Sequence, residues 1–226
     1  MGDCGGMGSL IQNKKRIMMT QQEQKEREYI TDGLVLWLDG IDKGNVQGEW
    51  IDKISGYIFT ATNSVVFGSN YVETGADAYL TNNTFTSPRD VESTIEVVAE
   101  RAKSGNSELV YMSKVNGISF GFLNGAGTGV IFSTASNQRW TRTSDGDIIF
   151  SLNRDRIIIN GKDTEIVGYS YWGGADSNNY IGKRSTGAPY SGKIYAIRIY
   201  DRILPADEIL NNQRVDNKRY NLGLRI

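Results

Sequence analysis

Glu92 and Glu96 are the residues of this 226-residue sequence whose type and spacing come closest to a catalytic pair. Glycoside hydrolysis uses two carboxyl groups, which lie about 5–5.5 Å apart in enzymes that retain stereochemistry. Residues 91–100 alternate as a β-strand does, which places both glutamates on one face, but at strand rise their Cα atoms should lie about 13 Å apart. We therefore interpret them as part of a solvated, charged sheet face, and we predict no catalytic residue and no enzyme.

Two segments, 137–140 and 169–179, combine aromatic and polar side chains in the way that sugar-binding sites do. Sugar rings stack on exposed aromatic faces, while neighbouring polar side chains hydrogen-bond the hydroxyl groups. The ligand-binding candidates are Arg139, Trp140, Tyr171, Trp172, Asp176 and Asn178. The alternative, which the residue types alone favour, is that the aromatic side chains fill the rims of a core, because large aromatics dominate cores and interfaces.

Two groups of carboxylates and amides could supply the oxygen ligands that Ca²⁺ prefers. The first consists of Asp39, Asp42 and Asn45, and the second lies within 176–179. Neither group matches an EF-hand loop, and Asp and Asn are ordinary turn residues. Asp39 and Asp42 are therefore weak metal candidates; we predict no cofactor, with Ca²⁺ left open.

The composition excludes several kinds of site. The sequence has no histidine, which rules out histidine-based catalysis and a Cys/His zinc site. The single cysteine, Cys4, cannot form an internal disulfide, so we expect synthesis in a reducing compartment. A net charge of −1 provides no basic field for nucleic acid or an anionic membrane. There is neither a run of about 18 apolar residues nor a signal-peptide pattern, so we expect no membrane segment and no export signal.

From residue 33 onward, short runs rich in β-branched and aromatic residues alternate with Gly, Asn, Asp and Ser. This pattern predicts an all-β sandwich in which 190–200, covered on both faces, is a central strand, and in which one helix spans 205–215. The pairs Asn160-Gly161 and Asp145-Gly146 predict tight hairpins. The thirteen predicted strands are 33–38, 56–61, 64–67, 77–81, 91–101, 107–113, 117–123, 128–133, 138–142, 147–152, 155–160, 178–182 and 190–200.

Two stretches of the sequence resemble concanavalin A-like and laminin-G-like domains. Residues 190–209, which read YSGKIYAIRIYDRILPADEI, are similar to the final strand and following helix of these domains. Residues 33–41, which read GLVLWLDGI, and the later run 50–56 resemble their opening strand and next turn. The resemblance covers about 32–220 and implies a two-sheet antiparallel jelly-roll sandwich with one short C-terminal helix. The matching residues are scaffold residues, so they imply the fold and not the ligand.

Domains with an opening like residues 33–41 resemble those of bacteriophage virion proteins and bacterial surface proteins. The resemblance implies a non-catalytic structural or adhesion protein, such as a head fibre, capsid decoration or tail fibre, that uses its jelly roll for assembly or for binding host-surface glycans. Two alternatives stay open: a carbohydrate-binding lectin module of a bacterial surface protein, and a glycoside hydrolase. Some hydrolases of this group carry Glu-x-Asp-x-Glu or Glu-x-Asp-x-x-Glu on one strand, and Thr94 stands here in place of the middle aspartate, which weakens the last alternative.

Residues 1–30 differ in composition from the rest, with a Gly-rich start, the basic run 14–16 and an almost wholly polar stretch at 21–28. We therefore divide the chain into a tail, 1–30, and a jelly-roll domain, 31–226. The tail is either a disordered leader or an anchor that orders when it docks on a larger assembly. An anchor implies virion or surface-assembly proteins as partners. The other predicted partners are a glycan and further copies of the chain. The predicted location is the virion, after synthesis in the host cytoplasm.

Overall fold

The computed structural model describes residues 28–44, 46–88, 92–100, 107–112, 118–123, 129–133, 138–144, 146, 148–166, 168–170, 178–183 and 189–226. These residues form two antiparallel β-sheets and one α-helix, α1 (Ala206–Arg219). The predicted all-β sandwich with a short C-terminal helix is confirmed. The strands are β1 (Leu34–Asp39), β2 (Glu49–Ile51), β3 (Ile58–Thr62), β4 (Val66–Phe67), β5 (Val72–Thr74), β6 (Tyr79–Asn82), β7 (Thr94–Ala99), β8 (Ser107–Met112), β9 (Ile118–Leu123), β10 (Gly129–Ser133), β11 (Gln138–Arg142), β12 (Ile149–Asn153), β13 (Ile157–Ile159), β14 (Lys162–Thr164), β15 (Gly168–Ser170), β16 (Asn179–Ile181) and β17 (Gly192–Tyr200).

The two sheets contain eight and nine strands. The eight-stranded sheet has the order β14-β13-β12-β7-β17-β5-β4, with β1 also paired to β17, and the nine-stranded sheet has the order β15-β11-β10-β9-β8-β16-β6-β3-β2. Strand β17 pairs with β1, β5 and β7, which confirms the central position predicted for residues 190–200.

Apolar side chains from both sheets form the main core. Phe120 and Phe122 of the nine-stranded sheet each lie 5.5 Å, between ring centroids, from Phe150 of the eight-stranded sheet. Trp50 is fully buried, and its indole N–H donates a hydrogen bond to the backbone oxygen of Asp39 at 3.0 Å. Because strand side chains alternate between faces, one apolar face from each sheet suffices to fill the space between them.

The opposite face of the eight-stranded sheet carries a buried polar cluster, which consists of Glu96, Arg198, Asn212 and Asp216. Arg198 Nε lies 2.9 Å from Glu96 Oε2, and Arg198 Nη1 lies 2.9 Å from Asp216 Oδ1. Glu96 retains only 1% of its exposure, so the predicted solvated, charged face is wrong at this position. The physical reason is that helix α1 covers the sheet here and supplies Asn212 and Asp216 as partners.

Helix α1 is held by its sequence as well as by its contacts. Pro205 precedes it as the N-cap residue, and Asp207 and Glu208 lie near the positive end of its dipole. Ile209, on the inner side of the helix, is fully buried. The predicted helix at 205–215 is confirmed and continues one further turn. No helix in the described part of the chain has both the length and the apolar character needed to cross a membrane.

Residues 28–30, the end of the predicted tail, pack against helix α1 and β17. Tyr29 donates its hydroxyl proton to Asp216 Oδ1 at 2.7 Å, and the Arg198 guanidinium lies 4.3 Å from the Tyr29 ring centroid. The backbone N–H of Ile30 donates to Asn212 Oδ1 at 2.9 Å. These residues are thus part of the sandwich, while residues 1–27 lie outside the described ranges and their docking role stays a prediction.

Turn chemistry explains one hairpin well. Asn160 and Gly161 both have positive φ angles, 48° and 80°, and join β13 to β14 as the two-residue hairpin that the sequence predicts. Residue 145 of the second predicted hairpin lies outside the described residues. Four short strands, β2, β5, β14 and β15, are not among the predicted ones.

Candidate functional site

The predicted sugar-binding segment 169–179 is described only at its two ends. Residues 169–170 belong to β15, and Asn178 stands before β16, where its amide Nδ2 lies 3.4 Å from the hydroxyl oxygen of Tyr180. Asn178 is therefore brought to an aromatic side chain of the nine-stranded sheet. The remaining candidates of this segment lie outside the described residues and stay predictions: Tyr171, Trp172 and Asp176.

The second predicted segment contributes Arg139 and Trp140, which are consecutive residues of β11. The backbone of Arg139 pairs with Phe132, and that of Trp140 with Ile131, both in the neighbouring strand β10. Strand β11 lies three strands from β8 in the order of the sheet. The structure thus confirms a strand at this position, and the sugar-binding role of both residues stays a prediction.

Three tyrosines of neighbouring strands, Tyr79 on β6, Tyr180 on β16 and Tyr111 on β8, form what we call the tyrosine patch. Ring centroids lie 6.1 Å apart between Tyr79 and Tyr180 and 6.4 Å apart between Tyr180 and Tyr111. The adjacent strand residues Leu80 and Ile181 are fully buried in the core. Because successive strand residues point to opposite faces, the patch lies on the outer face of the nine-stranded sheet.

Hydroxyl-bearing residues continue the same row of the outer face on both sides of the patch. Tyr180 is paired across the strands with Thr81 on one side and with Tyr111 on the other. Thr81 is in turn paired with Thr60, and Tyr111 with Ser119. The Cβ atoms of directly opposite residues lie about 4.5–5.5 Å apart in antiparallel sheets, so the row places hydrogen-bonding groups beside aromatic rings.

Two buried asparagines fix the strands that carry the patch. Asn82 accepts hydrogen bonds from the backbone N–H groups of Thr84 and Phe85 at 3.0 and 2.7 Å. Asn179 donates to the backbone oxygen of Phe85 at 2.8 Å. Because hydrogen bonds of buried amides restrict the side chains to one geometry, β6 and β16 present Tyr79 and Tyr180 from a rigid base.

Lys183 adds the only cation that lies over the patch in the described part of the chain. Its ammonium nitrogen is 3.5 Å from the ring centroid of Tyr79 and 5.4 Å from that of Tyr180. Both rings and the lysine are half-buried, so solvent reaches them only in part. The patch therefore combines aromatic faces, hydroxyl and amide groups, and one positive charge.

The glutamate pair is not arranged as a catalytic pair. Glu92 is exposed before β7, whereas Glu96 is buried within it, where Oε2 accepts hydrogen bonds from Arg198 and Asn212. Burial raises the pKa of Glu96 against the opposing effect of the Arg198 guanidinium. Since helix α1 covers this carboxylate, it has no surface to offer a substrate.

Asp39, the first metal candidate, is a structural residue. Its carboxylate is fully buried and accepts hydrogen bonds from the backbone N–H of Ile41 at 2.9 Å, from Tyr220 at 3.0 Å and from Arg219 at 2.5 Å. Asp42 is exposed and pairs with Lys53 at 2.7 Å. The described ranges contain no group of three or more acidic or Cys side chains that could hold a metal ion. Asn45, the third residue of this predicted group, lies outside those ranges, so the weak metal assignment of Asp39 and Asp42 stays a prediction.

Asp39 predicts a pH-dependent stability. Burial alone would raise its pKa, but the Ile41 N–H and the Arg219 guanidinium outweigh that effect and lower it. A lowered pKa in the folded state means that the carboxylate stabilises the fold above the ordinary aspartate pKa of about 4 and loses this effect as the pH falls further. We expect Asp39→Asn to lower the free energy of unfolding by about 2 kcal/mol at pH 7. The gap to the wild type should shrink in urea titrations repeated towards pH 3; a constant gap would contradict the assignment.

A groove of about 730 Å³ lies between residues 28–31, β1 and helix α1. Among the described residues that line it are Tyr29, Trp37, Lys218 and Arg219. Glu28 lies beside these cations, so the groove has no single charge, and none of the predicted ligand-binding residues lines it. The tyrosine patch is accordingly the stronger candidate site.

Sequence inspection does not identify Tyr79, Tyr111 or Lys183 as site residues. The sequence contains one usable signal, because Tyr79 and Thr81 alternate with the buried Leu80 and Asn82 in β6. That alternation indicates an outward tyrosine on a half-buried strand. It does not indicate which other strands lie beside it.

No family model and no curated protein sequence matches this chain. Solved structures do match it, at low sequence identity. A Trypanosoma rangeli sialidase in complex with sialic acid matches with a TM-score of 0.53 and 17% identity, over 92% of this chain and 39% of the sialidase. The receptor binding domain of botulinum neurotoxin D matches with a TM-score of 0.56 and 11% identity, over 82% of this chain and 53% of that one.

A third match covers a separate domain almost completely. Domain 4 of AbnA, an extracellular arabinanase from Geobacillus stearothermophilus, in complex with arabinotriose, matches with a TM-score of 0.50 and 10% identity. The match covers 80% of this chain and 98% of that domain. At such identities these matches show the shared β-sandwich fold alone.

Proposed function

We propose that this chain is a non-catalytic carbohydrate-binding protein and that the sugar binds on the tyrosine patch. The observation that carries the proposal is the pair of half-buried rings, Tyr79 and Tyr180, whose centroids lie 6.1 Å apart on the outer sheet face. Aromatic side chains offer a large apolar surface with a polar hydroxyl at its edge. This suits a sugar, whose ring has apolar C–H faces and a rim of hydroxyl groups.

The residues around the rings supply the polar half of such a site. Thr81 lies beside Tyr180 in the next strand, and Asn178 contacts the Tyr180 hydroxyl. Each carries groups that both donate and accept hydrogen bonds, as sugar hydroxyls require. Stacking on the Tyr180 ring would fix the sugar plane, and these groups would select the arrangement of its hydroxyls.

The structural matches add support of a general kind. One matched structure holds sialic acid, one holds arabinotriose, and one is a receptor binding domain. The chain spans only 39% of the sialidase, so that enzyme's activity does not transfer with the fold. What the three have in common with the proposal is a β-sandwich fold in a protein that holds a sugar or binds a receptor.

The absence of catalysis is part of the proposal. The two glutamates whose spacing comes closest to a catalytic pair lie in different environments. Glu92 is exposed, whereas Glu96 is buried beneath helix α1 and accepts a hydrogen bond from Arg198. A glycosidase needs one carboxyl group as acid and the other as nucleophile or base at the same sugar bond. We propose binding without turnover for this reason.

The test is a pair of substitutions read by sugar binding. A glycan array identifies a bound sugar, and calorimetry then measures its affinity for the wild type and for Tyr180→Ala. We expect the substitution to weaken binding about ten-fold or more, because it removes a stacking surface worth about 1–2 kcal/mol. Thermal unfolding should show that the variant remains folded.

Tyr71→Ala is the matched control. Tyr71 is likewise half-buried and contacts another tyrosine, Tyr195, at 6.3 Å between ring centroids, but it lies next to the eight-stranded sheet. We expect this variant to bind as the wild type does. Binding of no sugar by the wild type, or equal losses in the two variants, would overturn the proposal.

The virion setting is a separate matter. The matched structures lend no support to a head fibre, capsid decoration or tail fibre, and residues 1–27, which would dock such a component, are not among those described. The assembly role, the homo-oligomer and the virion location stay predictions.

A further inference from the structure

We infer that the tyrosine patch selects sugars that carry a carboxylate, an inference that rests on the proposed function. The structure places Lys183 at the patch with its ammonium nitrogen 3.5 Å from the Tyr79 ring centroid and 5.4 Å from that of Tyr180. A sugar stacked on Tyr180 would therefore lie within reach of this positive charge. Its carboxylate would be the natural partner.

The ammonium group has no carboxylate partner of its own among the described residues. The ion pairs found in that part of the chain involve other lysines and arginines, namely Lys53, Arg154, Arg156, Lys193, Arg198, Arg202 and Arg219. Lys183 is absent from them. A half-buried ammonium that lacks a counter-charge gains more from an anionic ligand than a fully solvated one does, because less water competes for it.

A second lysine-on-tyrosine cluster in the same chain shows the contrast. Lys193 lies 5.1 Å from the ring centroid of Tyr71, an arrangement like that of Lys183 and Tyr79. Here, however, Glu100 lies 3.4 Å from the ammonium nitrogen, and its charge raises the pKa of Lys193. Among the described residues, one lysine of this kind is thus paired with a carboxylate, whereas the lysine at the patch has none and is open to an external carboxylate.

A neutral sugar would gain less from the same site. It would displace water from the ammonium group without replacing the lost hydration by an opposite charge, and a charge-assisted hydrogen bond is about twice as strong as a neutral one. Selectivity is then the difference in binding free energy between an acidic and a neutral sugar that make the same stacking contacts. The chemical class expected is a sialic or uronic acid residue.

The experiment compares sugars that differ in the acidic group. Calorimetry measures binding of 3′-sialyllactose against lactose, and of a glucuronic-acid-ended disaccharide against the matching glucose-ended one. We expect the wild type to prefer the acidic member of at least one pair by about ten-fold, and Lys183→Gln to reduce the preference to about two-fold or less. Lys183→Arg should keep it, because the charge remains, and Lys193→Gln should also keep it, because Glu100 already neutralises that site.

The outcomes separate this inference from the proposed function. Equal affinity for acidic and neutral sugars, together with a loss in Tyr180→Ala, would overturn the carboxylate selectivity and leave sugar binding at the patch intact. An acidic preference that survives in Lys183→Gln would also overturn the inference. A wild type that binds neither these probes nor any sugar of the array would overturn both. Added salt should weaken the binding of acidic sugars more than that of neutral ones, as expected for a partly exposed charge pair.

Discussion

Arg198→Ala is expected to destabilise the fold by about 3–5 kcal/mol, enough to remove much of the stability of a typical domain. The guanidinium is fully buried and is the cation between two buried carboxylates, Glu96 and Asp216. Its removal would leave two negative charges in a medium that solvates them poorly. Urea unfolding followed by circular dichroism measures the loss.

Arg154→Ala is the control for this substitution. Arg154 also pairs with a carboxylate, Asp155, at 2.9 Å, but half of its side chain is exposed, and exposed pairs contribute little. Its unfolding midpoint should stay close to that of the wild type. Arg198→Lys, which keeps the charge but not both hydrogen-bonded contacts, should fall between the two, and it provides a folded sample if the alanine variant does not fold. A loss below about 1 kcal/mol in Arg198→Ala would show that the buried polar cluster is not a major source of stability.

Trp50→Ala should cost about 3–5 kcal/mol through a different mechanism. Trp50 is among the largest fully buried side chains, and it contacts the core where β2 faces the eight-stranded sheet. Truncation would leave a cavity and would also leave the backbone oxygen of Asp39 without the indole N–H. The measurement is the same urea titration.

Trp50→Phe separates the two contributions. It keeps most of the apolar volume but removes the hydrogen bond to Asp39, so a loss of about 1–3 kcal/mol is expected. If the phenylalanine variant were as unstable as the alanine variant, the hydrogen bond rather than the volume would dominate.

The sequence predicts the scaffold well, because the scaffold depends on local patterns. Residues 194, 197 and 199 of β17 are apolar and buried, and the apolar coverage of both faces correctly indicates a central strand. Strands such as β2, β5, β14 and β15 give no such signal, because three residues hold barely one alternation. Their pairing with neighbours, and not their own composition, makes them strands.

Glu96 shows what periodicity leaves out. The alternation of β7 correctly predicts the face on which Glu96 lies, but it does not predict what covers that face. Its partner Asn212 lies 116 residues further along the chain, on a helix whose docking no local pattern reports. Periodicity alone therefore predicts a solvated glutamate where the fold has a buried one.

The tyrosine patch shows the same limit for function. Tyr79, Tyr111 and Tyr180 are far apart in the sequence and meet only because β6, β16 and β8 are neighbours in one sheet. Asn178 is identifiable because it stands in a polar, aromatic segment, whereas Lys183 follows a strand in a run of no special composition. Strand order, which single-sequence patterns do not encode, decides which aromatic residues can share a ligand.

The docking of residues 28–30 has a mechanical consequence. If something pulls on the chain ahead of Glu28, the load passes first to Tyr29 and Ile30, which are bonded to Asp216 and Asn212 of helix α1. The Tyr200 hydroxyl, which donates to the backbone oxygen of Ile30 at 3.0 Å, passes it on to the central strand. A force applied to the chain ahead of Glu28 is thus shared between the helix and the middle of a sheet instead of peeling a strand from the edge of the sheet.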